Sequence, residues 1–120
     1  MPGFGLIATD ETIRTRPSAL HAFVAVIAQA WTYILEGHEQ EAVQSMIKQR
    51  PQARLNPDVL LAVIKAYRTF FETPATRGKP VGWQSETDWV EALKVMKEAG
   101  AITSVAHAED LYTNEFAPLP

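Results

Sequence analysis

Apolar positions along this chain recur mostly at helical spacing. The clearest stretch is Arg16–Gly37, RPSALHAFVAVIAQAWTYILEG. At 100° per residue, Leu20, Phe23, Val24, Ile27, Ala28, Trp31, Ile34 and Leu35 form one wide apolar face. Ala19, Ala22, Val26, Ala30 and Tyr33 carry that surface most of the way round. His21, Ala25, Gln29, Thr32 and Glu36 leave only a narrow stripe. Pro17 suits the first helical turn and Gly37 the position just past the last. A helix apolar on most sides needs neighbours on most sides, so this segment is expected to be the element the others pack around.

Four further segments carry helix signals. Thr9 caps a short helix with Asp10 and Glu11 in its first turn, and Pro17 ends it near Thr15. In HEQEAVQSMIKQR, Ala42, Val43, Met46 and Ile47 make one stripe. Acidic residues lead and Lys48 and Arg50 trail, as the helix dipole favours, until Pro51 stops the run. Asn56 and Pro57 open DVLLAVIKAYRTFFET, with Leu60, Val63, Ile64, Tyr67 and Phe71 on one face. Ser85 caps ETDWVEALKVMKEAG, with Asp88 in the capping-box place, Trp89, Ala92, Leu93 and Met96 pointing inward, and Gly100 followed by Ala101 and Ile102 at its end. These signals predict helices near 10–15, 17–36, 38–50, 57–72 and 86–99.

The remainder is irregular. Phe4–Ala8 reads as a short strand or extended lead-in with no second strand to pair with. Residues 73–84, TPATRGKPVGWQ, read as a surface connection in which Trp83 plugs a core edge. One turn is predicted around His107–Leu111, followed by an extended tail. The fold class is therefore mainly α: a compact bundle of about five helices with a short extended or strand-like N-terminal segment, residues 1–120 forming a single helical domain or subdomain.

Composition narrows the functional classes. The chain is 47% hydrophobic and 21% charged, near the average of globular proteins. Its net charge is −3, and its 11 basic residues are scattered without a run or stripe, which argues against a nucleic-acid surface. With no cysteine there is neither a disulfide nor a thiolate metal site. MPGFGLIATDE lacks the basic region and long apolar run of a signal peptide. No stretch of about 18 residues is free of polar positions, so no membrane span is expected.

Candidate chemistry is sparse. His21, His38 and His107 have no second ligand-type residue at metal spacing, and HEQE at 38–41 is not HExxH. Glu36, Glu39 and Glu41 read as a dipole match on a wet helix start. No GxSxG, P-loop or GxGxxG is present, and Ser45 and Ser104 have no evident base. No cofactor is expected, nor an enzyme. Trp31 and Trp89 lie at helical spacing and read as core. Trp83 and Tyr112 sit in irregular segments, and they are the candidate substrate-binding residues.

Taken in order, several pieces resemble a known pattern: FGLIAT at 4–9, the ETIRTRPSALHAFVAVIAQAWTYIL run, NPDVLLAVIKAY, the block GWQSETDWVEALKVMKEAGAI, and LYTNEF at 111–116. Together they resemble the C-terminal third of the nitrate/sulfonate and thiamine-pyrimidine family of ABC-transporter substrate-binding proteins. Pro17 matches that family's helix-starting proline and Gly100 and Ile102 its glycine–isoleucine step. Asp110, Tyr112, Thr113 and Asn114 match its ending, which looks closest to the pyrimidine-precursor branch.

The resemblance implies part of a two-lobed, periplasmic-binding-protein-like fold. It further implies an extracytoplasmic parent that delivers a small solute, such as a thiamine pyrimidine precursor, to a transporter permease. The family's cleft lies between two lobes, and most of its ligand contacts come from the part not represented here, so no ligand residue is carried over. Two alternatives stand beside this reading: a fragment similar to the pyrimidine-precursor synthases, and an independent helical interaction module. The unpaired lead-in and the broad apolar helix also lead to an expectation of a homodimer in which the N-terminal segment touches the neighbour.

Overall fold

The computed structural model describes residues 5–104 and 107–119. Five α-helices run in chain order: α1 (Asp10–Thr15), α2 (Pro17–Leu35), α3 (Glu39–Gln49), α4 (Pro57–Tyr67) and α5 (Glu86–Glu98). Three 3-10 turns sit between or after them, at Pro51–Ala53, Arg68–Phe70 and Ala108–Asp110. There is no strand among the described residues, so the fold is mainly helical as the spacing predicts.

The caps act largely as the residue types require. Thr9 Oγ1 accepts the Thr12 N–H at 3.2 Å. Asn56 Oδ1 accepts from Asp58 at 2.9 Å and Val59 at 3.1 Å, two of the donors a helix start leaves without partners. At the end of α5, Gly100 takes φ +70°. The Ala101 N–H then reaches the Met96 carbonyl at 2.9 Å, and the Gly100 N–H reaches Lys97 at 3.0 Å. That is the paired closure a left-handed residue makes possible.

Two local expectations are corrected, and of the two readings of the lead-in the strand is not formed among the described residues. The third long helix ends at Tyr67 rather than near 72, where Arg68–Phe70 tightens into a 3-10 turn. Ser85 makes no side-chain cap, and Asp88 turns away from the expected box to accept a 2.7 Å hydrogen bond from Thr73. Of the lead-in, Phe4 lies outside the described residues; Gly5–Thr9 carries no regular structure, and Ile7 is 98% exposed.

One core joins α2, α3 and α4. Ile34, Val43 and Ile64 are its buried centre, with Trp31, Ala42, Ile47, Leu60 and Leu61 packed around them. Phe71, past the end of α4, lies 4.5 Å ring to ring from Trp31 and ties that end back to α2. A second assembly forms around α5: Ala92, Leu93, Ala108 and Phe116 are buried there. The tail then returns to α2, where Phe116 meets the His21 ring at 4.8 Å.

The expected central helix is covered on one side only. Leu20, Val24, Ile27, Ala28, Trp31, Ile34 and Leu35 face inward and are buried or half-buried. Phe23, assigned by spacing to that same face, is 54% exposed. Contrary to the expectation from the count of polar positions, α2 is by length and composition long and apolar enough to cross a bilayer, with a mean hydropathy of 1.5 and 11% of that window buried.

The radius of gyration is 16.5 Å, against about 14 Å for a globule of this length. The accessible surface of 9114 Å² likewise exceeds the roughly 6,500 Å² of a closed monomer of this mass. The bundle is more open than its composition alone suggests.

Candidate functional site

Trp83 and Tyr112 lie on the same assembly, at the N-terminal end of α5. The connection that precedes α5 is first cinched to it. Thr73 and Thr76 hold one another in a turn, the Thr73 N–H donating to Thr76 Oγ1 at 2.9 Å, and Thr73 Oγ1 donates to Asp88. Thr76 and Asp88 are both buried. The chain then runs through Pro80–Gly82, where Gly82 takes φ +91°, and delivers Trp83, Gln84 and Ser85 to the start of the helix.

The tail closes over this junction. Asn114 Oδ1 accepts the Gln84 N–H at 2.9 Å, and Asn114 Nδ2 donates to the Gln84 carbonyl at 2.8 Å. The Gln84 side chain in turn accepts from the Trp89 indole N–H at 2.9 Å. Tyr112 stacks on Trp89, with planes 4° apart and centroids at 6.0 Å. Lys79 Nζ stands 5.5 Å from the Trp83 ring centroid, within cation–π range. The two candidate aromatics are half-buried, and each has its own partner: Trp83 is engaged by Lys79 and Tyr112 by Trp89.

A second group of polar side chains gathers where α2 turns into α3. Tyr33 stacks on His38, with planes 4° apart and centroids at 3.9 Å. The Tyr33 hydroxyl donates to Glu41 Oε2 at 2.5 Å, and His38 Nδ1 lies 3.1 Å from Glu41 Oε1. One turn away, Arg68 Nη2 donates to Glu39 Oε1 at 2.5 Å and links α3 to the end of α4. Gly37, His38, Glu39, Gln40, Glu41 and Lys65 line an open depression of about 280 Å³.

Electrostatics here are those of satisfied surface carboxylates. The Tyr33 hydroxyl, with His38 beside it, holds the Glu41 carboxyl below its ordinary value. Arg68 lowers Glu39. The Glu41 carboxylate pushes the Tyr33 phenol up, because it favours the protonated form that donates to it. A general acid at neutral pH needs a raised carboxyl, the opposite of what these two glutamates have. Among the described residues no group of three His, Asp or Glu side chains is placed to hold a metal ion.

Sequence spacing misses both tertiary pairings, Glu39 with Arg68 and Asn114 with Gln84. The only local signal was the i, i+3 relation of His38 and Glu41. No protein-family model, curated protein or solved structure matches the chain.

Proposed function

We propose that this chain is the C-terminal part of a two-lobed solute-binding protein for ABC-type uptake. The parent would work outside the cytoplasm and deliver a small solute, of which a thiamine pyrimidine precursor is the best candidate, to a transporter permease. What supports the reading is the order of its motifs. The pieces that carry the resemblance are not scattered: GWQ at 82–84, Trp89 and the YTN of 112–114 form one interlocked junction through the Asn114–Gln84 pair and the Trp89–Tyr112 stack. A pattern whose separate pieces contact one another behaves as a structural unit, which is how a family motif is expected to persist.

In this reading the 120 residues contribute scaffold, and the ligand contacts come from elsewhere in the parent. A small solute needs most of its surface enclosed and polar groups arriving from opposite walls. Here the amides of Gln84 and Asn114 are already engaged with each other and with Trp89. Calorimetry with hydroxymethyl-aminomethylpyrimidine tests this directly. The chain alone is expected to show no heat of tight binding, and a parent protein extended by the preceding lobes is expected to bind. Sub-micromolar binding by this chain alone, or no binding by the extended protein, would overturn the reading.

The second reading, an independent helical interaction module, is favoured by one observation: an apolar side of α2 stands open to solvent.

A further inference from the structure

The open side of α2 has an internal order that suits one occupant. Ala19, Phe23, Val26, Ala30 and Tyr33 fall within about 80° of arc, and Ala22 extends the stripe to about 100°. All six are exposed: Val26 is 62%, Phe23 54% and Tyr33 44% accessible. The stripe runs about 21 Å along the helix, at 1.5 Å per residue. It carries no charge, so two copies brought together meet no like-charge repulsion.

We propose that this stripe is a twofold interface, on which α2 of a second copy lies antiparallel with Val26 level with Val26. In that register residue i stands level with residue 52 − i of the partner, as equal and opposite rises require. Ala19 then stands level with Tyr33, and Ala22 with Ala30. Phe23 falls about one residue's rise from Ala30 and on the same side of the contact. Phe23 and Tyr33 thereby each meet an alanine, and Val26 meets its own copy at the axis, so the bulky rings interlock with small residues as close packing of two helices favours.

The chain as a whole exposes roughly 2,600 Å² more than a closed monomer of its mass, shared between this stripe, the lead-in with Leu6 and Ile7, and the tail with Leu119; one protomer of a stable pair gives up about 800 Å². A self-paired patch is the form a closed twofold dimer requires. This places the contact on α2 rather than on residues 1–8. It stands apart from the solute-binding reading: it concerns this chain by itself and is tested without ligand.

The absence of cysteine makes the test clean. In the full 120-residue chain, Val26→Cys puts two thiols next to the twofold axis and is expected to give a disulfide-linked dimer rapidly under mild oxidation. Lys97→Cys, on α5, is expected to remain largely uncrosslinked. Sedimentation of the unmodified chain at about 100 µM should show a dimer, and Val26→Glu should weaken it at least tenfold with helicity unchanged by circular dichroism. A clean monomer at that concentration overturns the proposal. So does a dimer that Val26→Cys does not capture, which would place the contact elsewhere, and so does a chain that remains monomeric but is carried down by phosphatidylcholine vesicles. If Val26→Glu fails to fold, the cysteine variant decides the matter.

Discussion

The side-chain amide of Asn114 pairs with the backbone of Gln84 in both directions, across thirty residues of sequence. It does for the tail what a neighbouring strand would do: it satisfies one N–H and one C=O that the turn into α5 leaves open. Asn114→Asp keeps the size but removes the Nδ2 donor and sets a carboxylate against the Gln84 carbonyl. Its expected cost is about 1–3 kcal/mol, read as a lower denaturation midpoint. The Trp89 fluorescence environment should also change, because the Tyr112 stack loses its anchor. An unaltered midpoint would mean that the tail is held by Phe116 alone.

Thr73 and Asp88 form the other fastening of this region. Thr73→Val preserves shape and leaves a buried carboxylate one donor short, with an expected loss of about 1–3 kcal/mol. Combined with Asp88→Ala in a double-mutant cycle, the two changes should cost less than their sum, because each removes the same bond. Simple additivity would show that the contact contributes nothing.

Gly100 has φ +70° and open space where a Cβ would stand. Gly100→Ala is therefore a test of conformation without a clash, and about 1 kcal/mol of destabilisation is expected. Ala99→Gly at the preceding position, in ordinary helical backbone, should not reproduce the loss of the Ala101–Met96 closure. Thermal denaturation of the two variants compares them.

The α2–α3 corner is expected to respond to pH at both extremes and to be level between them. Glu41 is held below its ordinary value of 4.5 by Tyr33 and then His38, so its contribution is present above pH 4.5 and is lost as the pH falls through the lower folded value. Tyr33 is raised above 10.0 by the bond to Glu41, so its contribution is present below pH 10 and is lost as the pH rises through the higher folded value. Both groups are solvent-exposed, so the effect is small. Glu41→Ala should melt below the unmodified chain at pH 7, and the two curves should converge at acid pH. A difference that persists at pH 2.5 would show that packing, not the charged acceptor, holds the corner.

Much of the helical layout was legible in residue order. Thr9, Asn56–Pro57 and Gly100 set ends of α1, α4 and α5 because caps and left-handed stops act over three or four residues, a range that sequence spells out. The inward face of α2 was legible for the same reason: 3.6-residue periodicity places Leu20, Ile27, Ala28, Trp31 and Ile34 together whatever they meet. Local order could not say which of two apolar sides of that helix finds a neighbour. Phe23 and Val26 are as apolar as Ile27 and Ile34, and only the paths of α3 and α4 decide that they remain outside. The same holds for Asp88, which local rules assign to Ser85 and tertiary folding gives to Thr73, and for Arg54, whose left-handed φ of 47° nothing in its residue type announces. Capping and periodicity are short-range and are written in neighbouring residues. Burial, the Asn114–Gln84 pair and the Glu39–Arg68 bridge depend on segments about thirty residues apart arriving at one place, and only the assembled chain sets that distance.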